Sequence, residues 1–140
     1  MIDPELASTD VDADVAPTSP AHGRPASAGD FDLAHEIEVL KRGEQYETTG
    51  QAARTLFKRA EFRVVLIVLR HNAAMKEHQT NQPVSLQTLS GSIRVALPER
   101  AIEQPAGGLI LIESGVAHDV IALEDSAFLL TMPWSDPDED

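Results

Sequence analysis

The stretch from residue 62 to residue 95 decides the fold, and it reads FRVVLIVLRHNAAMKEHQTNQPVSLQTLSGSIRV. It opens with an apolar run over 64–69 that is rich in β-branched residues, and strand-like runs follow at 84–89 and 93–97. Asn, Pro and Gly residues separate these runs, which is typical of turns between strands. The pattern predicts a compact antiparallel β-domain.

Composition narrows the class of protein. The chain has 140 residues, which allows one domain with tails, and 42% hydrophobic residues are enough for a core. It contains no cysteine, which excludes disulfides and thiolate metal sites. The N-terminus shows no signal-peptide pattern, and no apolar run approaches the roughly 20 residues of a membrane helix. We therefore expect a cytoplasmic protein with no membrane partner.

The net charge of −12 lies mostly at the two ends of the chain. Residues 1–30 carry six acids and one base, or −5, and residues 135–140 carry four acids, or −4. The body therefore keeps −12 + 5 + 4 = −3. No basic face is present to meet phosphates, so nucleic acid is not an expected partner.

The composition also divides the chain. Residues 1–29 are rich in Asp, Ala, Pro and Ser and are predicted to be disordered, because they cannot bury enough apolar surface to offset the entropy of ordering. Residues 135–140 are predicted to form an acidic tail. Between them, 30–134 is predicted to be one domain, with a helix over 31–42 and a barrel over 45–134.

Within this domain, Leu33, Ile37 and Leu40 recur at helical spacing, so one short N-terminal helix is expected. Short edge strands are predicted at 46–49 and 53–58. The apolar run at 64–69 does not alternate with polar residues, which indicates that both of its faces are covered. One face would meet the core, and the other would meet the helix or a second chain. A homodimer is therefore expected.

The second half of the chain resembles a known family. It reads AGGLILIESGVAH over 106–118 and ALEDSAFLLTM over 122–132. Together with the first stretch, this resembles the two motifs of small single-domain cupins of the cupin-2 type. Five residues match motif positions of that family: His78, Gly91, Gly107, Gly115 and His118. The resemblance implies an all-β jelly-roll barrel with a cavity between two sheets.

The departures from the family pattern concern its metal site. A full cupin site offers three histidines and a glutamate to a divalent metal, and here the resemblance leaves only His78 and His118. Lys76 stands at the position of another histidine, and Val84 stands at that of the glutamate. An ammonium repels a metal ion and supplies no lone pair, and a valine supplies no ligand. The metal site is thus depleted. Glu113 and Ala122 also replace the second motif's proline and asparagine.

These residues leave three functions open. The first is binding of a small molecule, in particular an anion, by Lys76, His78 and His118 at the mouth of the barrel, with Val84, Leu86 and Thr88 lining the cavity. This reading takes Lys76 and His78 to share a strand face because they lie two residues apart. The second is a metal-dependent oxygenase or isomerase that uses His78 and His118. The third is a structural or interaction module. The sequence names neither the ligand nor a reaction, and leaves open whether the protein is an enzyme.

Overall fold

A computed structural model describes residues 28–59, 61–78 and 81–133, without the side chains of Glu77 and His78. The predicted disordered tail over 1–29 and the acidic tail over 135–140 lie almost wholly outside the described residues. The elements in chain order are α1 (Leu33–Lys41), α2 (Glu44–Thr49), β1 (Gln51–Lys58), β2 (Arg63–Leu69), β3 (Ala74–His78), β4 (Val84–Ser90), β5 (Ser92–Ala96), β6 (Ala101–Pro105), β7 (Leu109–Ile112), β8 (His118–Ala122) and β9 (Ser126–Met132). The prediction of a mostly β fold is confirmed.

The predicted helix is present as α1. Asp32 caps its N-terminus, because its carboxylate accepts a hydrogen bond of 3.2 Å from the His35 backbone N–H. Ile37 and Leu40 pack on a buried cluster that includes Val68 of β2. The apolar face of the helix therefore packs on the sheet. This is one of the two arrangements expected from the sequence, in which either the helix or a second chain covers this face of β2.

The strand predicted at 46–49 is wrong, because this segment forms α2, a second short helix. Gly50 ends α2 in the left-handed conformation, with φ +81°, and its N–H donates to the Tyr46 carbonyl oxygen at 2.8 Å. The Tyr46 ring is buried, and the Arg70 guanidinium lies 5.1 Å from its centroid. Tertiary contacts of Tyr46 and the glycine cap thus override the strand preference of the two threonines at 48 and 49. The barrel begins at β1 rather than at residue 45.

Two antiparallel sheets form the barrel. The larger has the strand order β1-β2-β9-β4-β7, and the smaller has the order β3-β8-β5-β6. Every pairing between neighbouring strands is antiparallel. The inner faces of both sheets supply one hydrophobic core, to which Ile67 and Phe128 belong from one sheet and Ile93 and Val120 from the other. This is the face-to-face arrangement of a jelly roll.

Both faces of β2 are covered, which confirms the interpretation of its continuous apolar run. Val65, Ile67 and Leu69 face the core between the sheets. Val68 faces the opposite way and packs with Tyr46, Ala52 and Ala127 under the two helices. The helices of the same chain therefore cover the face that was assigned to either a helix or a partner chain.

Several strands begin or end at the same end of the barrel. Arg63 begins β2 and pairs with Met132 at the end of β9, while Val84 begins β4 and pairs with Ile112 at the end of β7. Residues 113–117 then lead directly to His118, which begins β8. We call this the His118 end of the barrel. In the described part of the chain, neither helix has the length and apolar character needed to cross a membrane.

Candidate functional site

His118 is a buried histidine inside the barrel. It is 7% exposed and lies on the same face of β8 as Val120 and Ala122, which both belong to the hydrophobic core. Its Nδ1 lies 3.1 Å from the Val116 carbonyl oxygen, so a neutral ring carries its proton on Nδ1 and a lone pair on Nε2. The ring therefore has a fixed orientation at the His118 end.

The backbone ladder places position 78 directly opposite position 118. His78 and His118 are Cα partners in the pairing of β3 with β8. The ladder shifts register between Met75 and His78, so simple alternation of side chains does not hold across this segment. Lys76 and His78 would share a face only if alternation were unbroken, and the register shift interrupts it. The His78 side chain lies outside the described part, and its proposed role stays a prediction.

Lys76 is exposed, whereas its neighbour Met75 packs against the core. An exposed ammonium is screened by water and attracts an anion only weakly. The structure thus separates the exposed Lys76 from the buried His118, although both were predicted to contact the ligand.

The three residues predicted to line the cavity all lie on the inner face of β4. Val84, Leu86 and Thr88 are buried, and the first two belong to the hydrophobic core. The Thr88 hydroxyl accepts a hydrogen bond of 2.7 Å from the side-chain amide of Gln104 on β6. Gln104 is itself buried, so this polar pair joins the two sheets deep in the barrel. Of the three residues, only Val84 lies at the His118 end.

Sequence reasoning missed Arg63, a buried cation at the same end. Its side chain is on the inner face of β2, because Arg63 lies two residues before Val65 and both are buried. Its Nη2 donates to the Met132 sulfur at 3.8 Å, and burial lowers the pKa of the guanidinium. The sequence contained the information needed to predict this position, because Arg63 lies an even number of residues before the inward-facing Val65 and Ile67.

A groove of about 630 Å³ opens at this end of the barrel. Its walls include Val84, Ile112 and Met132, together with the more exposed Phe62 and Leu111. Most of this surface is apolar, and the inward-facing members connect the groove to the core. The groove can accommodate an organic molecule of modest size.

The motif glycines owe their positions to backbone geometry. Gly91, Gly107 and Gly115 have φ values of +76°, +95° and +79°, which L-residues rarely adopt. A Cβ atom at Gly91 would also overlap the Asp125 carbonyl oxygen and the Ser126 Oγ. Gly115 lies in the segment that leads from the end of β7 to His118 at the start of β8.

The described residues do not by themselves form a complete metal-binding group. Among them, no group of three or more His, Cys, Asp or Glu side chains is close enough to hold one. The position of the family's glutamate is occupied by Val84, which is buried in the core. Glu113 and Asp119, the nearest acids in sequence to His118, are both exposed. Of the two histidines that the family resemblance assigns to metal ligands, only His118 has a described side chain.

Comparison with known proteins gives structural matches only. Neither family models nor curated proteins match the sequence. Among solved structures, a conserved protein of unknown function from Streptococcus pyogenes matches with a TM-score of 0.64 and 19% identity, over 79% of this chain and 91% of that one. A cupin-2 domain protein from Shewanella frigidimarina matches with a TM-score of 0.61 and 14% identity, over 74% of this chain and 94% of that one.

Similar structures also include enzymes. A variant of salicylate 1,2-dioxygenase from Pseudoaminobacter salicylatoxidans matches with a TM-score of 0.66 and 13% identity, over 73% of this chain and 34% of that one. Since proteins of different roles share this fold, the fold does not assign an activity. The resemblance to cupins is confirmed at the level of the fold: this chain forms a single small cupin-type jelly-roll barrel.

Proposed function

We propose that this protein binds a small organic anion at the His118 end of its barrel. The observation that carries the proposal is the buried His118, held by the Val116 carbonyl oxygen on the inner face of β8. A ligand that enters the groove beside Val84 and Ile112 would reach this end of the barrel. The imidazole would then donate a hydrogen bond to the anion in its protonated form.

The surroundings support a ligand that is partly apolar. Val84, Ile112 and Met132 offer apolar contact, whereas a polar ligand would have to be desolvated without compensation there. The roles of Lys76 and His78 in this binding remain predictions, as do Leu86 and Thr88 as further lining residues. A cytoplasmic location also remains a prediction.

A calorimetric titration of the full chain tests the proposal. The probes are hexanoate, benzoate and inorganic phosphate, each titrated into the natural chain and its variants. At least one anion should bind, and His118→Asn should weaken that binding about tenfold through loss of a charged hydrogen bond. The matched control is His71→Asn, because His71 is exposed in the turn between β2 and β3 at the opposite end. Failure of all three probes to bind would refute the proposal.

One observation favours a second function, that of a metal-dependent enzyme. The ladder pairs positions 78 and 118, which the family resemblance assigns to metal ligands. Two imidazoles alone fall short of the three or more protein ligands that stable zinc or iron sites use. We therefore expect weak metal binding by the natural chain and a gain in the Val84→Glu variant, which supplies a carboxylate at the position of the family's glutamate.

Zinc titration of untagged protein distinguishes this second function from the first. Val84→Glu buries a carboxylate in the core, so this variant should lose stability without metal and regain it with zinc. Tight stoichiometric zinc binding by the natural chain, abolished by His118→Ala, would instead show that further ligands complete the site. That result would favour the enzyme.

A further inference from the structure

Arg63 is a cation inside a barrel whose other inward residues on the same strand are apolar. It is 3% exposed and shares its face of β2 with Val65, Ile67 and Leu69. Because side chains alternate along a strand, the guanidinium enters the barrel and does not face the helices. We infer that Arg63 anchors the carboxylate group of the ligand. This inference rests on the proposed function and names its substrate class.

The position of Arg63 relative to the groove supports this role. Arg63 pairs with Met132 in the β2–β9 ladder, and its Nη2 donates to the Met132 sulfur at 3.8 Å. Met132 lines the groove together with Val84 and Ile112. The guanidinium therefore lies directly behind a groove wall, at the His118 end. Arg63 lies in the larger sheet, whose strands β4, β7 and β9 also supply groove walls, and His118 begins β8 of the smaller sheet at the same end.

The second buried arginine of the described chain has a different explanation. Arg54 lies on the outer face of β1 and forms an ion pair with Glu36 of α1. That pair attaches the helix to the sheet. Arg63 faces the barrel interior, whereas both described helices pack on the outer face of the sheet, so attachment of those helices does not account for it.

The chemistry of the guanidinium selects the ligand class. Burial lowers the pKa of Arg63, yet an arginine stays charged at neutral pH. Its planar group presents two parallel N–H donors that match a carboxylate, and the low dielectric of the interior strengthens the attraction. The apolar lining by Val84, Ile112 and Met132 favours a monoanion with an apolar body. A phosphate dianion would have to lose the hydration of a second charge.

Calorimetric titration with three probes tests the inference on the full chain: hexanoate, its neutral isostere hexanamide, and inorganic phosphate. The natural chain should bind hexanoate about tenfold or more tightly than hexanamide, and more tightly than phosphate. Arg63→Met should remove this preference, since methionine fills similar space without charge. Arg63→Lys should keep part of it, because an ammonium lacks the fork of two donors. Arg54→Met, the matched control on the outer face, should keep the preference in full.

The possible results distinguish the proposed function from the role of Arg63 as a carboxylate anchor. If Arg63→Met retains the preference for hexanoate and His118→Asn weakens binding, the proposed function stands and the anchor is refuted. If the natural chain binds neither hexanoate nor phosphate, and benzoate also fails to bind, both are refuted. Tighter binding of phosphate than of hexanoate would refute the carboxylate assignment. If Arg63→Met does not fold, as judged by circular dichroism, Arg63→Lys decides, and an unchanged hexanoate affinity in that variant overturns the inference.

Discussion

The Gln104 side-chain amide donates a hydrogen bond of 2.7 Å to the Thr88 hydroxyl across the interior of the barrel. Gln104 belongs to β6 in the smaller sheet, and Thr88 belongs to β4 in the larger one. The same amide also approaches the Leu86 carbonyl oxygen at 3.4 Å. These contacts satisfy buried polar groups and fix the separation of the two sheets away from the His118 end.

The first prediction concerns this pair. Thr88→Val keeps the shape of the side chain but removes the hydroxyl acceptor, which leaves the buried Gln104 amide poorly satisfied. The free energy of unfolding should fall by about 1–3 kcal/mol. Urea denaturation measures the loss, and Thr131→Val on the less buried, outer-facing part of β9 is the control. An equal effect in both variants would contradict a special role for the pair.

The second prediction concerns the centre of the core. Phe128 is 0% exposed and belongs to the main hydrophobic cluster. Phe128→Ala should lower the free energy of unfolding by roughly 3–5 kcal/mol, because a large cavity remains. Phe62→Ala is the matched control, since Phe62 is 42% exposed and stacks on Phe57 with ring centroids 5.0 Å apart. That control should lose about 0.5–1.5 kcal/mol. A smaller loss for Phe128 than for Phe62 would refute the core assignment.

The third prediction concerns assembly, where the structure changes the expected interface. The outer face of β2, which was one candidate for contact with a second chain, is covered by α1 and α2. Strand β7 lies at the edge of the larger sheet and exposes Leu109 by 60% and Leu111 by 73%. We propose that the homodimer expected from the sequence buries these two leucines.

Light scattering at micromolar concentration tests this assembly. The natural chain should have the mass of two chains, and the Leu109→Lys, Leu111→Lys double variant should have the mass of one. Val39→Lys is the control, because Val39 is an exposed apolar residue on α1. A monomeric natural chain, or a double variant that remains dimeric, would contradict the proposed surface.

The fourth prediction concerns the ionisation of Tyr46, the only tyrosine of the chain. Burial raises the pKa of this phenol above its ordinary value, the Asp125 carboxylate raises it further, and Arg70 opposes the change. Since the folded pKa exceeds the unfolded one, this contribution to stability is complete below about pH 10 and is lost as the pH rises through the folded pKa.

The phenolate absorbance of the native protein should therefore titrate with a midpoint above 10, and denaturant should return it to about 10. Asp125→Asn removes the second cause and should lower the native midpoint. A native midpoint at or below the denatured one would contradict the buried position of Tyr46 under the helices.

Much of the fold could be predicted because its signals are local. The apolar run that became β2 showed by its continuity that both faces are covered, and the buried Val65 and Val68 confirm this. Gly91 and Gly115 marked turns because their positive φ values exclude most side chains. Each of these inferences depends on a preference that a few consecutive residues express by themselves.

Other features depend on distant contacts. Helix α2 was missed because the packing of Tyr46 against Ala52 and Val68, together with the cap at Gly50, outweighs the strand preference of its threonines. The register shift between Met75 and His78 was missed because a bulge depends on the partner strand. It removed the basis for placing Lys76 and His78 on one face.

For the candidate site, the sequence alone predicted His118 and the inward-facing residues of β4. Motif spacing and alternation along one strand can be recognised without knowledge of the neighbouring strands. Only the folded chain could bring Arg63 of β2 to the same end of the barrel as His118 of β8, since these strands lie in different sheets. The folded chain also decided that Lys76 is exposed. The physical reason is that the burial of a side chain depends on the assembled sheets. Both cations are hydrated in the unfolded chain, and packing of the sheets removes the water from Arg63 but not from Lys76.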